Sequence, residues 1–411
     1  MSNVYEWSSI DPISAIPTYT AANGRIDFEI SANNEDIQTG SITLTADVYS
    51  YADEAAGTVM TAQDDINIDN KAGAASFIRA LTVSSNMFGT IESIGNYPRW
   101  CRMVTEASMT ENQLGVDAAS AMQLQGPNYD VCRGYLRGKS SAEPFQTIAH
   151  PLVCGLNTAT TAGPKGPIRA ADLPGNKFGL IKFEIELPPV NEVYFGANAG
   201  TVANGGGAKQ PAGYRLQNVK LRYKHRVTDL TAAATRAPIH IHTVKSIKRS
   251  VESNLASLSN MVNIKCDGVA VSFCPRSESG SYTYNNLATR VLPALQRVTF
   301  AINDVDNKQI SFPLEHREEI LWNYLSAFRL DPDRNCMLAD GLEKSGVYIG
   351  TYMPGECFGI GLGWGSLLDF SQTKFDLQIE TGSVVSGDNT YAVNSVTPYD
   401  IFLFFTGYLV V

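Results

Sequence analysis

"LTVSSNMFGTIESIGNYPRWCRMV", residues 81–104, reads as the end of one strand, a polar turn, a second strand and a helix that starts at once. "FIRALTV" (77–83) and "GTIESI" (89–94) form the hairpin, and "YPRWCRMVTEA" (97–107) forms the helix. Pro98 stands at a first-turn position, where its missing N–H costs nothing, and Trp100, Met103, Val104 and Ala107 recur at spacings of three and four. No side chain in the stretch looks catalytic, so it reads as architecture. Residues 296–328, "QRVTFAINDVDNKQISFPLEHREEILWNYLSAF", repeat the order: strand, polar turn, strand, then a proline-led helix over about 314–328 with a tryptophan, Trp322, near its middle.

The repeat extends to the end of each half. "FGLIKFEIEL" (178–187) precedes "YRLQNVKLRY" (214–223), and "KFDLQIETG" (374–382) precedes "YDIFLFFTGY" (399–408). In each closing segment two tyrosines stand nine positions apart, 214 and 223, and 399 and 408. Upstream, "GRIDFEIS" (24–31) alternates Ile26, Phe28 and Ile30 with Asp27 and Glu29, and "SITLTADVYSY" (41–51) continues in the same style. The stretch "VDAASAMQLQ" (116–125) reads as a second short helix. The segments 108–147, 155–176 and 196–213 read as long surface loops, and "DLTAAATRAP" (229–238) as a linker. The pattern predicts an all-β protein of two domains, 1–228 and 239–411, each a sandwich whose two sheets are bridged by a helix.

An antiparallel eight-stranded sandwich with long end loops is a jelly roll. "GRIDFEISANNEDIQTGSITLTADV", "KAGAASFIRALTVSSNMFGTIESIGNYPRWCRMV", "YRLQNVKLRY", "FGIGLGWGSLLDFSQTKFDLQIET" and "YDIFLFFTGYLVV" together resemble the double jelly-roll major capsid proteins of tailless icosahedral viruses, the lineage of virophages, adenoviruses, giant-virus relatives and membrane-containing phages. The resemblance implies two consecutive eight-stranded jelly rolls, each with a short helix after its fourth strand. It also implies a homotrimeric capsomer of near-hexagonal outline, tiling with its copies and with minor capsid or penton proteins into a virion shell around double-stranded DNA.

Composition agrees with a structural role. Of 411 residues 44% are hydrophobic and only 18% charged, with 34 glycines, 18 tyrosines and 17 phenylalanines, which suits a β-rich chain with much surface buried against other chains. A net charge of −9 argues against a protein that coats nucleic acid. Seven scattered cysteines without a C-x-x-C pair predict buried free thiols, a reducing compartment and no intrachain disulfide. "MSNVYEWSSI" has no signal-peptide character, and the longest apolar run, "IFLFFTGYLVV", is about half of what a membrane helix needs, so a soluble protein destined for the virion is expected.

Chemistry is hard to find. P-loop and nucleophile-elbow motifs are absent, and "GIGLGWG" (359–365) misses the dinucleotide fingerprint by one residue, its glycines reading as a bare strand face packed closely by something. His240 and His242 share one strand face without an evident third ligand, and Glu315, Glu318 and Glu319 suit a helix N-terminus. No enzyme, cofactor, metal site or small-molecule substrate is expected. What stands out is charge: residues 1–70 carry twelve acids against one base, Arg25, whereas residues 215–250 carry nine bases against one acid, Asp229. Alternation aims Lys220, Arg222, Lys224 and Arg226 to one side of a strand, and Lys245, Lys248 and Arg249, with Arg236, lie near the junction of the rolls. This basic stripe either faces the shell interior, meeting genome or internal membrane, or meets the acidic segment Asp11–Asp69 of a neighbouring subunit. The alternative function is a trimeric receptor- or glycan-binding β protein of a virion, a minor capsid, penton or spike protein.

Overall fold

A computed structural model describes residues 4–108, 144–195, 213–227, 238–276 and 398–411 apart from short breaks, and between 287 and 381 Leu287 and the strand segments at 295–302, 305–306, 312–313, 357–361, 368–369 and 375–381. Of the twenty-four strands among the described residues, sixteen carry the architecture. In the first half they are β1 (Glu6–Ile10), β2 (Arg25–Ser31), β3 (Thr43–Asp53), β4 (Ala80–Ser85), β5 (Gly89–Gly95), β6 (Gln146–Pro151), β7 (Leu180–Glu186) and β8 (Gly213–Val227). In the second they are β9 (Ile239–Val251), β10 (Leu255–Asn260), β11 (Gly268–Pro275), β12 (Leu295–Ile302), β13 (Val305–Asp306), β14 (Cys357–Gly361), β15 (Phe375–Thr381) and β16 (Tyr399–Val410).

The pairing order is the same in both halves. One sheet of the first half runs β1–β8–β3–β6, and the matching order β9–β16–β11–β14 recurs in the second. The facing order β2–β7–β4–β5 is matched by β10–β15–β12–β13. Adding eight to each strand number of the first half therefore gives the second, and each half has jelly-roll topology. The two rolls are not separate, however. β5 of the first roll lies parallel to β9 of the second, with Ser93 opposite Lys245, so β2–β7–β4–β5–β9–β16–β11–β14 form one ten-stranded sheet with two short accessory strands.

Alternation builds the first roll. On β2, Ile26, Phe28 and Ile30 point inward; on β7, Ile181, Phe183 and Ile185; on β4, Leu81 and Val83. β8 keeps its apolar face inward by a bulge between Gln217 and Lys220, where Asn218 takes φ 50°. Tyr214 and Leu216 point inward before it and Val219, Leu221 and Tyr223 after it, so the one-residue phase shift is absorbed.

β16 is different: Tyr399 through Phe405 are buried on both faces, which explains its apolar run Ile401–Phe405. Its second cover is the helix α1 (Tyr97–Ser108). Trp100 of that helix packs 5.5 Å from Phe404, and both belong to the cluster that forms the first roll's core. Burying a large ring of this kind contributes about 2–3 kcal/mol. The hairpin feeds a helix because the helix fastens one roll to the other, a longer reach than bridging two sheets of one sandwich.

Some expectations change. α1 follows the fifth strand of its roll rather than the fourth, because "EWSSI" (6–10) has no alternating apolar face and does not announce itself as a strand. The stretch 155–176 contains short strands at Thr160–Thr161, Arg169–Ala170 and Asp172–Pro174, the last pairing with Glu35–Gln38 to widen the first sheet. β6 begins inside the expected loop 108–147. The expected helices at 116–125 and 314–328, and all but the last residue of the loop 196–213 and of the linker 229–238, lie outside the described residues.

Candidate interaction surface

The basic residues of β8 lie on the outer face of the first roll, as the alternation of that strand requires: Lys220 and Arg222 are exposed, Lys224 and Arg226 half-buried. The N-terminal strand β1 lies along the edge of β8, with Glu6 opposite His225 and Ile10 opposite Leu221. That register stands Trp7 beside Lys224, and residues directly opposite in an antiparallel pair share a face. The indole carries the Lys224 ammonium and the Arg222 guanidinium each 5.0 Å from its ring centre. Tyr5 does the same for Arg226 at 5.2 Å, and its hydroxyl donates to the Asp172 carboxylate at 2.7 Å. Burial, and then that carboxylate, push the Tyr5 hydroxyl up to about 12. Contacts of this kind each contribute about 0.5–1 kcal/mol when exposed.

Acids close the two ends of the stripe. Lys220 Nζ is 3.4 Å from Asp11, and Arg226 lies 2.6 Å from Asp172 and 3.6 Å from the fully buried Asp36. The acidic N-terminal segment thus meets the basic strand within one chain, where the sequence suggested a neighbouring subunit. Asp69, also in that segment, goes elsewhere: it is buried in an ion pair with Arg102 of α1.

Lys245, Lys248 and Arg249 do not join this stripe. They lie on β9, in the ten-stranded sheet, so the predicted cluster is two groups on two sheets. Lys248 reaches Asp400 at 2.8 Å and sits over the Phe402 ring, whereas Arg249 is exposed and Lys245 lies half-buried beside the β5 seam. Arg236 lies outside the described residues.

The seam between the rolls holds residues that the sequence did not single out. Arg99 is buried, donates to Ser272 Oγ at 2.9 Å and to the Phe273 carbonyl at 3.1 Å, and sits 4.4 Å from the Phe402 ring. Glu92 is buried on β5, and one carboxylate oxygen accepts from Gly155 N–H at 2.7 Å. Burial raises it to about 8, against the smaller opposing pull of backbone hydrogen bonds from Gly155 and Val244. Gly95 N–H donates to Ser246 Oγ at 2.6 Å across the same seam. A cavity of about 190 Å³ lies alongside, lined by Trp100, Val104, Val153, His242 and Thr406 among others. An arginine among apolar residues in a helix turned to another element is the one signal that could have marked Arg99.

Among the described residues no three metal-ligating side chains cluster. His240 packs 5.5 Å from the Tyr408 ring, and Gly359 and Gly361 stand opposite Ala270 and Gly268 in the sheet. Cys101, Cys154, Cys266 and Cys274 are buried free thiols.

The structure superposes on the Faustovirus major capsid protein with a TM-score of 0.59, over 99% of this chain and 90% of that one, at 10% identity. The chain has the double jelly-roll capsid fold. PBCV-1 VP54, in a crystal structure fitted into a cryo-EM reconstruction of the virophage Sputnik, gives 0.55 over 100% of this chain and 95% of its own at 12% identity. A structure of the Sputnik virophage gives 0.55 over 99% and 86% at 10% identity. No protein-family model matches the sequence, and no curated protein matches it either. At such identities the likeness is one of fold, and what it spans is the whole double jelly roll, both rolls and the seam between them.

Proposed function

We propose that this chain is a major capsid protein whose copies assemble as homotrimers, six rolls to a capsomer of near-hexagonal outline, and that these capsomers tile an icosahedral shell. The supporting observation is the strand-for-strand repeat of two rolls joined edge to edge, together with its superposition over nearly the full length of a capsid protein. Six similar units closing a ring is the economical use of a two-roll chain, since heterologous contacts that close generate rings. The two rolls are assigned to 1–228 and 239–411. The role is structural: its chemistry is that of ion pairs, aromatic–cation contacts and sheet edges, and no residue is assigned to catalysis. The partners are other copies, with minor capsid or penton proteins at the shell's special positions and genome or internal membrane at its inner surface. The basic strand β8 serves assembly in this reading, because its charges hold the N-terminal strand. Light scattering on the purified protein tests the proposal: a stable species of three 44.6-kDa chains at micromolar concentration is expected. A lasting monomer would overturn it.

A further inference from the structure

Among the described residues the repeat leaves two strand edges without the neighbour that their counterparts have. Inside the chain β5 lies beside β9, closing the seam between the rolls. The counterpart of β9 in the first roll is β1: each flanks the closing strand of its roll, β16 or β8, on the side away from β11 or β3. The counterpart of β5 in the second roll is β13. Among the described residues β1 pairs only with β8, and β13 only with β12. One chain therefore uses one seam and carries both halves of a second.

We propose that β1 is the joint between subunits: the β13 edge of one copy seats on β1 of the next, repeating between chains the β5–β9 seam found within the chain. This rests on the trimer reading and names the surface through which it closes. An open edge presents a row of unpaired backbone N–H and C=O groups, a template for another strand. The side chains around it are also those of an interface. Of the eight large apolar side chains exposed among the described residues, four, Val4 (61%), Trp7 (51%), Ile13 (56%) and Ile16 (38%), lie in the first sixteen residues; the others are Met87, Phe88, Val227 and Val410. Val227, at the far end of β8, is exposed as well, and the β1–β8 register carried two residues on places it opposite Val4, on the face away from Trp7. Trp7 and Tyr5 with Arg222 and Arg226 make up the aromatic–arginine composition that dominates binding energy at interfaces. The basic strand then acts as a clamp that holds the joint strand in place.

Two variants and one exchange measurement test this. Deleting residues 1–10 removes the joint. Trp7→Glu keeps β1 on its clamp, since the new carboxylate pairs with Arg222 and Lys224, but replaces the apolar face. Both should raise the concentration for half-assembly by about a hundredfold, as the loss of an interface hot spot does. Hydrogen exchange on the full-length chain reads the joint without a variant. An edge strand protects roughly every second amide, and a strand paired on both sides protects all of them. In the assembled protein at least one amide of Glu6–Ile10 that points away from β8 should be slow, since the β5–β9 seam pairs at one position; fast exchange at every such amide would overturn the proposal. So would variants that remain trimers, including trimers that lose only their binding to anionic lipid vesicles, which would assign the arm to a membrane surface. A full-length chain that never trimerises would instead remove the capsomer reading itself, so the two failures are distinguishable.

Discussion

Single residues at the seam set how tightly the two rolls meet. Gly155 approaches β9 so closely that a Cβ would stand 2.1 Å from the His242 carbonyl oxygen, a backbone atom that cannot swing away. Gly155→Ala should therefore destabilise the protein by about 1–3 kcal/mol, the usual cost of forcing an extra methyl into a packed site. A chemical denaturation curve with an unchanged midpoint would contradict that contact. Glu92 gives the seam a pH dependence. Its carboxyl is raised to about 8 in the fold, against an ordinary value of 4.5, so the native state keeps a proton that the unfolded chain has lost. Its contribution is fully present below about pH 4.5, is lost as the pH rises toward 8, and changes no further above that. Glu92→Gln, which carries no charge at any pH, should gain stability relative to the parent between pH 5 and pH 8. Equal shifts at the two pH values, read from melting temperatures, would show that Glu92 is already ionised in the fold.

At the scale of elements, the alternating strands were legible and the flat ones were not. Ile26, Phe28 and Ile30, or Ile181, Phe183 and Ile185, show their inward face in the sequence because one side of their sheet is solvated. β1 has no such face: Glu6, Trp7 and Ser9 are exposed and Ser8 and Ile10 half-buried, and its place is fixed by the β8 ladder and two aromatic–cation contacts that only the fold reveals. The basic residues of β8 could be read as one outward stripe and the acidic segment Asp11–Asp69 as one candidate partner, yet the contacts of Asp11 and Asp36 within the same chain, and the part of Asp172, could not, because these acids come from distant parts of the chain. Lys245, Lys248 and Arg249 were close in sequence and went to another sheet. The opening hairpin and its helix were read correctly as elements, but the helix's target, the second roll, was invisible before β11 and β16 were in place. Arg99 makes that docking specific. Arg99→Met keeps the aliphatic stem and leaves Ser272 Oγ and the Phe273 carbonyl without their charged donor, a loss of about 1.5–3 kcal/mol per such bond. The variant should be cut faster than the parent between the rolls in limited proteolysis; identical cleavage rates would mean that α1 does not couple them.

Across the whole molecule, the ten-stranded sheet makes the two rolls one body with a repeated plan, and the repeat has a direction: the β5 edge of the first roll meets the β9 edge of the second. A unit that joined copy to copy in the same way would form a ring where the rotation closes, and in the proposed capsomer three chains of two rolls supply six. The low charge of the chain suits the proposed capsomer, in which much of its surface would be packed against other copies. The most direct test is electron microscopy of the purified, unlabelled protein, with projections classified and no symmetry imposed. If the chain is a capsomer subunit, the face-on class averages show six lobes around a threefold axis within a near-hexagonal outline. Two-lobed particles without a threefold axis would contradict it.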